Sequence, residues 1–333
     1  MDINIYYLDI IKVKYNQIRY IILLLIILII IEPFFRLDKV IYQNLLRKKD
    51  SDIKVCLCTL GKNENKYAKE FIEYYQKLEV DKIFLYDNND ILGENFNDVI
   101  NEYIESGFVE VLNWRGKEKI IMNIMNDCYK KNNKKYDWLI FYEFDEFIFL
   151  KNFTNIKSFL NDIRFYKCKK ILLNWIFHTD NNLLYYDNRP VVERFPEREI
   201  KARNKSTGGL STVKSIIKGR IKKLKFNCIH RLSTKIKGCD GFGKFVELIG
   251  IETNNSDYEN YYIDHYYCKS TEEFIDKINK GCALFSQDKN YKLARIKTYF
   301  GYNKITLQKI NLIENKTGFD LLEYKKLIEN FNI

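Results

Sequence analysis

Between residues 53 and 142, short apolar runs alternate with longer amphipathic stretches, and this alternation restricts the chain to one class of fold. Residues 53–59 read as a buried strand, and 64–78 as a helix that sets Phe71, Tyr74, Tyr75 and Leu78 on one face. A second strand at 82–86 ends in the polar turn Asp87-Asn88-Asn89-Asp90. A helix around 95–106 leads through Gly107 to a strand at 108–112, and a helix at 117–132 precedes a strand at 138–142. Strands alternating with helices predict an α/β fold, a parallel sheet with helices on both faces. In such sheets ligands sit beyond the carboxyl ends of the strands, so chemistry is expected just after each strand.

Those positions are polar and acidic. Thr59, Lys62, Asn63 and Glu64 follow the first strand, the Asp87–Asp90 turn follows the second, and Tyr142-Glu143-Phe144-Asp145-Glu146-Phe147 follows the fourth. Glu143 and Asp145 fall on one side of an extended chain. Two hard oxygen ligands there suit Mg²⁺ or Mn²⁺, which leave positions open for phosphate oxygens. Such an ion would offset the charge of a diphosphate leaving group. The alternative is a structural acidic turn, a costly one because no Lys or Arg adjoins the three carboxylates in sequence. No glycine-rich loop follows the first strand, which argues against a dinucleotide-binding or P-loop enzyme.

Apolar and aromatic residues run the whole length of the 333-residue chain, which excludes disorder. Its eight Cys include no Cys-x-x-Cys pair, so buried free thiols in a reducing compartment are expected. The net charge of +11 is concentrated: residues 198–237 hold thirteen Lys or Arg and a single acid, Glu199. That pattern implies an anionic partner, either nucleic acid, a lipid surface or the diphosphate side of an active site. The segment's one aromatic residue is Phe226, and single strands are read by stacking aromatics, so nucleic acid is not expected. A lipid surface is coherent with the N-terminus, where an unbroken apolar run at 20–31 follows Lys12, Lys14 and Arg19. The run falls short of the roughly 20 residues that span a bilayer, and no small-residue cleavage site follows it. Membrane anchoring or interfacial attachment is the expectation, with orientation and compartment left open because positive charge lies on both sides.

Several of these motifs together resemble glycosyltransferase family 92 and its bacterial family 2-like relatives. They are Lys62-Asn63-Glu64 before a helix, the stretch from Val80 to Asn89, and Trp138 through Asp145-Glu146-Phe147. His265-Tyr266-Tyr267-Cys268-Lys269-Ser270, with Glu273-Phe274 and the stretch from Lys277 to Gly281, resembles the group's C-terminal block. The match covers roughly 53–285. It implies a GT-A-like (Rossmann-like) mixed sheet flanked by helices, and transfer of a sugar, often galactose, from a nucleotide diphosphate with Mn²⁺ or Mg²⁺. By the same resemblance Asp145 binds metal, Glu143 stands where the first Asp is usual, and His265 is a third ligand. Thr59, Asn63, Glu64, Asp87 and Asn89 would line the nucleotide pocket, with a UDP-sugar as donor and a glycan or lipid-linked acceptor.

The histidines all follow the acidic motif. His265 precedes a capping box at Ser270 and Glu273, a helix start that fixes the strand end before it. His178 follows a strand and is placed to touch an acceptor, and His230 with Arg231 is placed to contact diphosphate. An inverting reaction needs a carboxylate base, for which Asp180, Glu193 and Asp240 are candidates that spacing does not separate. The layout expected is an apolar anchor and linker at 1–52, a glycosyltransferase domain at 53–285 and C-terminal helices at 286–333. The rival reading is a fold of this type without turnover, or a membrane- or nucleic-acid-binding protein using 198–237.

Overall fold

Runs of β-branched and aromatic residues form the strands that the alternation predicts, each within two residues of its expected ends. The computed structural model describes residues 18–23, 26, 47–118, 120–198, 211–228, 230, 232, 236–248, 252–253, 256–281 and 289–331. In chain order come β1 (Val55–Gly61), α1 (Asn65–Lys77), β2 (Lys82–Asp87), α2 (Asn97–Glu105), β3 (Val109–Asn113), α3 (Ile121–Asn132) and β4 (Trp138–Phe141). The chain continues through β5 (Glu146–Leu150), α4 (Ile156–Leu160), β6 (Lys170–Phe177), α5 (Val191–Arg194) and β7 (Ser211–Lys218). Three two-residue strands, β8 (Gly238–Cys239), β9 (Phe245–Val246) and β10 (Glu252–Thr253), precede β11 (Tyr261–His265). Four helices follow: α6 (Thr271–Lys280), α7 (Lys289–Tyr302), α8 (Leu307–Thr317) and α9 (Leu322–Phe331).

The main sheet runs β3-β2-β1-β4-β7-β6-β11-β5. Its first four strands are parallel, as expected. Beyond them β7 is antiparallel to both β4 and β6, and β5 is antiparallel to β11. The sheet is therefore mixed, as the resemblance implies, and an all-parallel sheet does not form. The short acidic turn does not join neighbours: β4 pairs with β7, while β5 ends the sheet beside β11.

Both faces are covered. Val55 and Leu57 of β1 pack with Phe71, Tyr75 and Ile140, while Cys56, Cys58 and Leu139 face Ile121, Ile124 and Met125 of α3. Alternate residues of one strand thus feed two cores, which is why β1 reads as a continuous apolar run. Full burial of a side chain such as Phe71 stabilises the fold by about 2–3 kcal/mol.

The cysteines correct the sequence reading. Cys58 is bonded to Cys128, joining β1 to α3, and Cys168 is bonded to Cys239, joining the approach to β6 to β8. The partners lie 70 and 71 residues apart, so only the folded topology brings them together. Cys56, Cys228 and Cys268 are free.

Residues Asp50–Ile333 form one unit and Met1–Lys49 another. In the first, the C-terminal helices pack on α6 and the end of β6 in a third apolar cluster, where the ring of Phe274 on α6 stacks on Tyr299 of α7 at 4.3 Å. In the second, Ile18–Leu23 are helical and exposed. Most of the apolar run at 20–31 lies outside the described residues, among which no helix is long and apolar enough to cross a membrane. Much of 198–237 lies outside them too. The described part is not a single charged face, because Lys214 is buried and Arg220 pairs with Asp137 at 3.0 Å.

Candidate functional site

At the carboxyl ends of β1 and β2 a cleft of about 770 Å³ opens between the loop 62–64 with the first turn of α1, the loop 90–94 and helix α6 with the turn before it. The loop geometry begins with Gly61, where a Cβ would come within 2.4 Å of Phe96 and 2.9 Å of Phe144. Its absence lets Phe144 stack on Phe96 and anchors the acidic turn against the strand end. Asn63 adopts a left-handed backbone (φ 53°) and donates its N–H to Asn89 Oδ1 at 2.7 Å. Asn89 in turn donates its side-chain amide to Asp87 Oδ1 at 2.8 Å, and Asp87 takes Arg115 at 2.7 Å. Asp87 and Asn89 are therefore buried supports that shape the cleft's floor, whereas Asn63 and Glu64 line it.

Helix α6 forms the opposite wall, and its start is fixed from several directions. Ser270 caps it in the expected box with Glu273. Glu273 also takes Arg194 at 2.7 and 3.1 Å and the Tyr67 hydroxyl at 2.7 Å, with both partners of the ion pair buried. Burial alone would raise the Glu273 carboxyl, but hydrogen bonds from Arg194 and Ser270 and the charges of Lys269 and Arg194 together hold it down to about 2. Glu273, Lys277 and Lys280 follow at helical spacing, so one face of α6 meets the cleft. Lys280 pairs with Glu64 across it.

The acidic turn splits its carboxylates between two directions. Asp145 lines the cleft, with Oδ2 2.6 Å from Lys277 Nζ and 3.4 Å from His265 Nε2. Burial would raise its carboxyl, but Lys277 and then His265 hold it well below the usual range. His265 sits opposite Glu146 in the β5–β11 register, and burial lowers its imidazole to about 4, so it is neutral at physiological pH. Glu143 and Glu146 turn toward Lys214 of β7, at 3.6 and 3.1 Å. Burial lowers the Lys214 ammonium, but Glu143 and Glu146 outweigh it and keep the group charged.

The expected metal set of Glu143, Asp145 and His265 is therefore not assembled. Glu143 is drawn away by Lys214, only Asp145 and His265 converge, and the Lys277 ammonium lies on the Asp145 oxygen that a cation would need. Among the described residues no group of three His, Cys, Asp or Glu side chains is placed to hold a metal ion. The side chains present do not fit a protein-held divalent ion.

The other expected residues lie elsewhere. Thr59 is buried on β1 beside Glu143 and Lys214, with its hydroxyl unpartnered. His230 is buried, its Nδ1 2.8 Å from the Val213 carbonyl and its ring edge-on to Trp175, while Arg231 falls outside the described residues. His178 bridges the Asp264 carboxylate at 2.7 Å and the Phe195 carbonyl at 2.6 Å.

None of the three candidate bases lines the cleft. Asp180 is a buried junction that takes Lys309 at 2.6 Å and the Tyr299 hydroxyl, tying the body to α7 and α8. Asp240 accepts N–H groups of Phe242 and Lys244 within its own turn. Glu193 is exposed on α5, and its neighbour Arg194 serves Glu273 instead. Sequence reasoning did not place Lys269, Lys277 and Lys280 at the site, nor Lys214 at the acidic turn. The capping box was the available signal for the first three, because it fixes which residues face the strand ends.

A sequence model of glycosyltransferase family 92 matches residues 51–299. No curated protein sequence matches the chain. Solved structures with a similar backbone include that of S. aureus TarS, at 11% identity and TM-score 0.34, covering 83% of this chain and 50% of that one. Another is S. aureus TarS 1-349 in complex with UDP-GlcNAc, at 11% identity and TM-score 0.33, covering 80% of each chain. The chain thus spans half the length of the first of these.

Proposed function

The chain belongs to glycosyltransferase family 92, and from that premise we propose that its cleft binds a nucleoside-diphosphate sugar, a UDP-sugar first among them, for transfer to a glycan or lipid-linked hydroxyl. The observation that carries this reading is the convergence of Asn63, Glu64, Asp145 and three lysines, Lys269, Lys277 and Lys280, on one cleft at the strand ends. A volume of about 770 Å³ is in the range of small-molecule and cofactor sites. In sugar transfer, charge develops on the departing diphosphate, and preorganised cations are the groups that stabilise it. Asp145 acts in this reading by orienting Lys277, and the Arg194–Glu273 pair by holding α6 in place.

Two buried disulfides favour folding in an oxidising compartment. Together with the apolar run at 20–31, they support attachment at the membrane of such a compartment. The test is thermal stability of the full chain, in EDTA and again in MnCl₂, with UDP, GDP and CMP, then with UDP-sugars beginning with UDP-galactose and UDP-GlcNAc. A ligand at 100 times its Kd stabilises the fold by about 2.7 kcal/mol, which a melting shift reads directly. A shift with one nucleotide in either condition supports the reading, and no shift with any of them in both conditions sinks it.

A further inference from the structure

We propose that Lys269 and Lys277 supply the positive charge at the donor's diphosphate that a divalent cation is expected to supply, so that this chain binds its donor without a metal ion. The inference rests on the donor-cleft reading above and deepens it.

Lys277 is the first part of the argument. Its ammonium donates to Asp145 Oδ2 at 2.6 Å and to the Tyr267 carbonyl at 3.2 Å, and so occupies the position in front of the acidic turn. A dication on the same oxygen would meet a like charge at contact distance. A diphosphate would meet a cation already aimed by two acceptors, with donor capacity left, since an ammonium carries three N–H groups.

Lys269 is the second, and it is independent of the first. The side chain is only 7% exposed, and it lines the cleft wall. Its ammonium stands 3.4 Å above the Tyr67 ring, a cation–π contact, and among the described residues it makes no hydrogen bond or ion pair. Its backbone is left-handed (φ 52°), which costs free energy for any residue but glycine. A desolvated cation on strained backbone is unfavourable twice over in the free protein. An anion entering the cleft supplies the missing acceptor.

The remaining lysines of the cleft sharpen the assignment. Lys62 pairs with Asp90 at 2.7 Å, Lys66 with Asp276 at 3.2 Å, and Lys280 with Glu64. Among the described residues Lys269 is thus the cleft lysine without a carboxylate partner, and Lys277 is the one that meets the acidic turn. Both are held in register by the Ser270 cap and the Arg194–Glu273 pair that fix the start of α6.

The experiment is calorimetric titration of UDP, with GDP as the second probe, into the full chain in EDTA and again in MnCl₂. The proposal expects the same Kd within about twofold in both. It expects Lys269→Met and Lys277→Met each to weaken UDP by roughly ten- to a hundredfold, the range for losing a hydrogen bond to a charged group. Lys269→Arg, which keeps the charge, retains most of the affinity, and Lys131→Met, at an exposed position of α3 outside the cleft lining, leaves Kd unchanged. Binding that appears in MnCl₂ and vanishes in EDTA overturns the proposal while leaving the donor cleft standing. So does unchanged affinity in a Lys269→Met protein that melts like the wild type. Binding of neither nucleotide in either condition removes the donor cleft, and the proposal with it.

Discussion

Lys277 Nζ lies 2.6 Å from Asp145 Oδ2, although 132 residues separate the two in sequence. The other two carboxylates of the same turn, Glu143 and Glu146, find their cation in Lys214, also far away in the chain. The acidic turn is therefore compensated from two sides: by Lys214 behind it, within the sheet, and by Lys277 in front of it, in the cleft. Only the front cation is free to meet a ligand.

Removing the rear cation will destabilise the fold. Burial pushes the Glu146 carboxyl up to about 8 even beside Lys214, so Lys214→Met leaves it protonated and without its partner, at a cost of about 1–3 kcal/mol. Adding Glu146→Gln replaces the orphaned carboxyl by an amide that cannot ionise and recovers part of the loss. Urea unfolding of the single and double variants measures both, and equal stability of Lys214→Met and wild type would show that the pair is not formed.

Arg194→Met acts on the cleft through α6. Its guanidinium is held by Glu273 in a fully buried pair, so the single variant is expected to lose about 3–5 kcal/mol. Glu273 also caps α6 and accepts the Tyr67 hydroxyl, so Arg194→Met is expected to weaken UDP binding without touching the ligand. Melting and UDP titration of the same preparation separate the two effects.

The disulfides are open to a chemical count. Four more cysteines become alkylatable after reduction than before it, those of the Cys58–Cys128 and Cys168–Cys239 bonds. Each closes a loop of about seventy residues, for which the chain-entropy relation gives about 4 kcal/mol. Reductant is accordingly expected to lower Tm sharply. Equal alkylation with and without reductant would restore the free-thiol reading.

Donor affinity is expected to fall at alkaline pH. Burial pushes the Lys269 ammonium down to about 8, with Glu64, Asp145 and Glu273 raising it and Lys277 lowering it further; the Tyr67 ring faces it directly. A diphosphate binds the charged form. Below pH 8 that form is already present, and above it each pH unit costs up to about tenfold in affinity because a proton must be taken up first. Lys269→Arg stays charged throughout and is expected to flatten the profile. A flat wild-type profile from about pH 7 to 9.5 would exclude Lys269 from the donor site.

The alternation of apolar runs made the first half of the fold legible, because β1 to β4 and their helices are local patterns of period two and 3.6. The antiparallel half was not legible, since the pairing of β7 with β4 and β6 depends on contacts across long connections. The acidic turn was legible as a site for the same local reason. Its charge balance was not, because Lys214 and Lys277 adjoin it only in space. The two disulfides escaped the reading in the same way, and Asp180 looked like a base until Lys309 and Tyr299 were brought onto it from the C-terminal helices.

The most direct test of the account is a crystal structure of the full chain grown with UDP. The account predicts the diphosphate in the cleft, with its oxygens within about 3 Å of the Lys269 and Lys277 ammonium groups. UDP held there through a metal ion on Asp145, or bound away from α6 altogether, would contradict it.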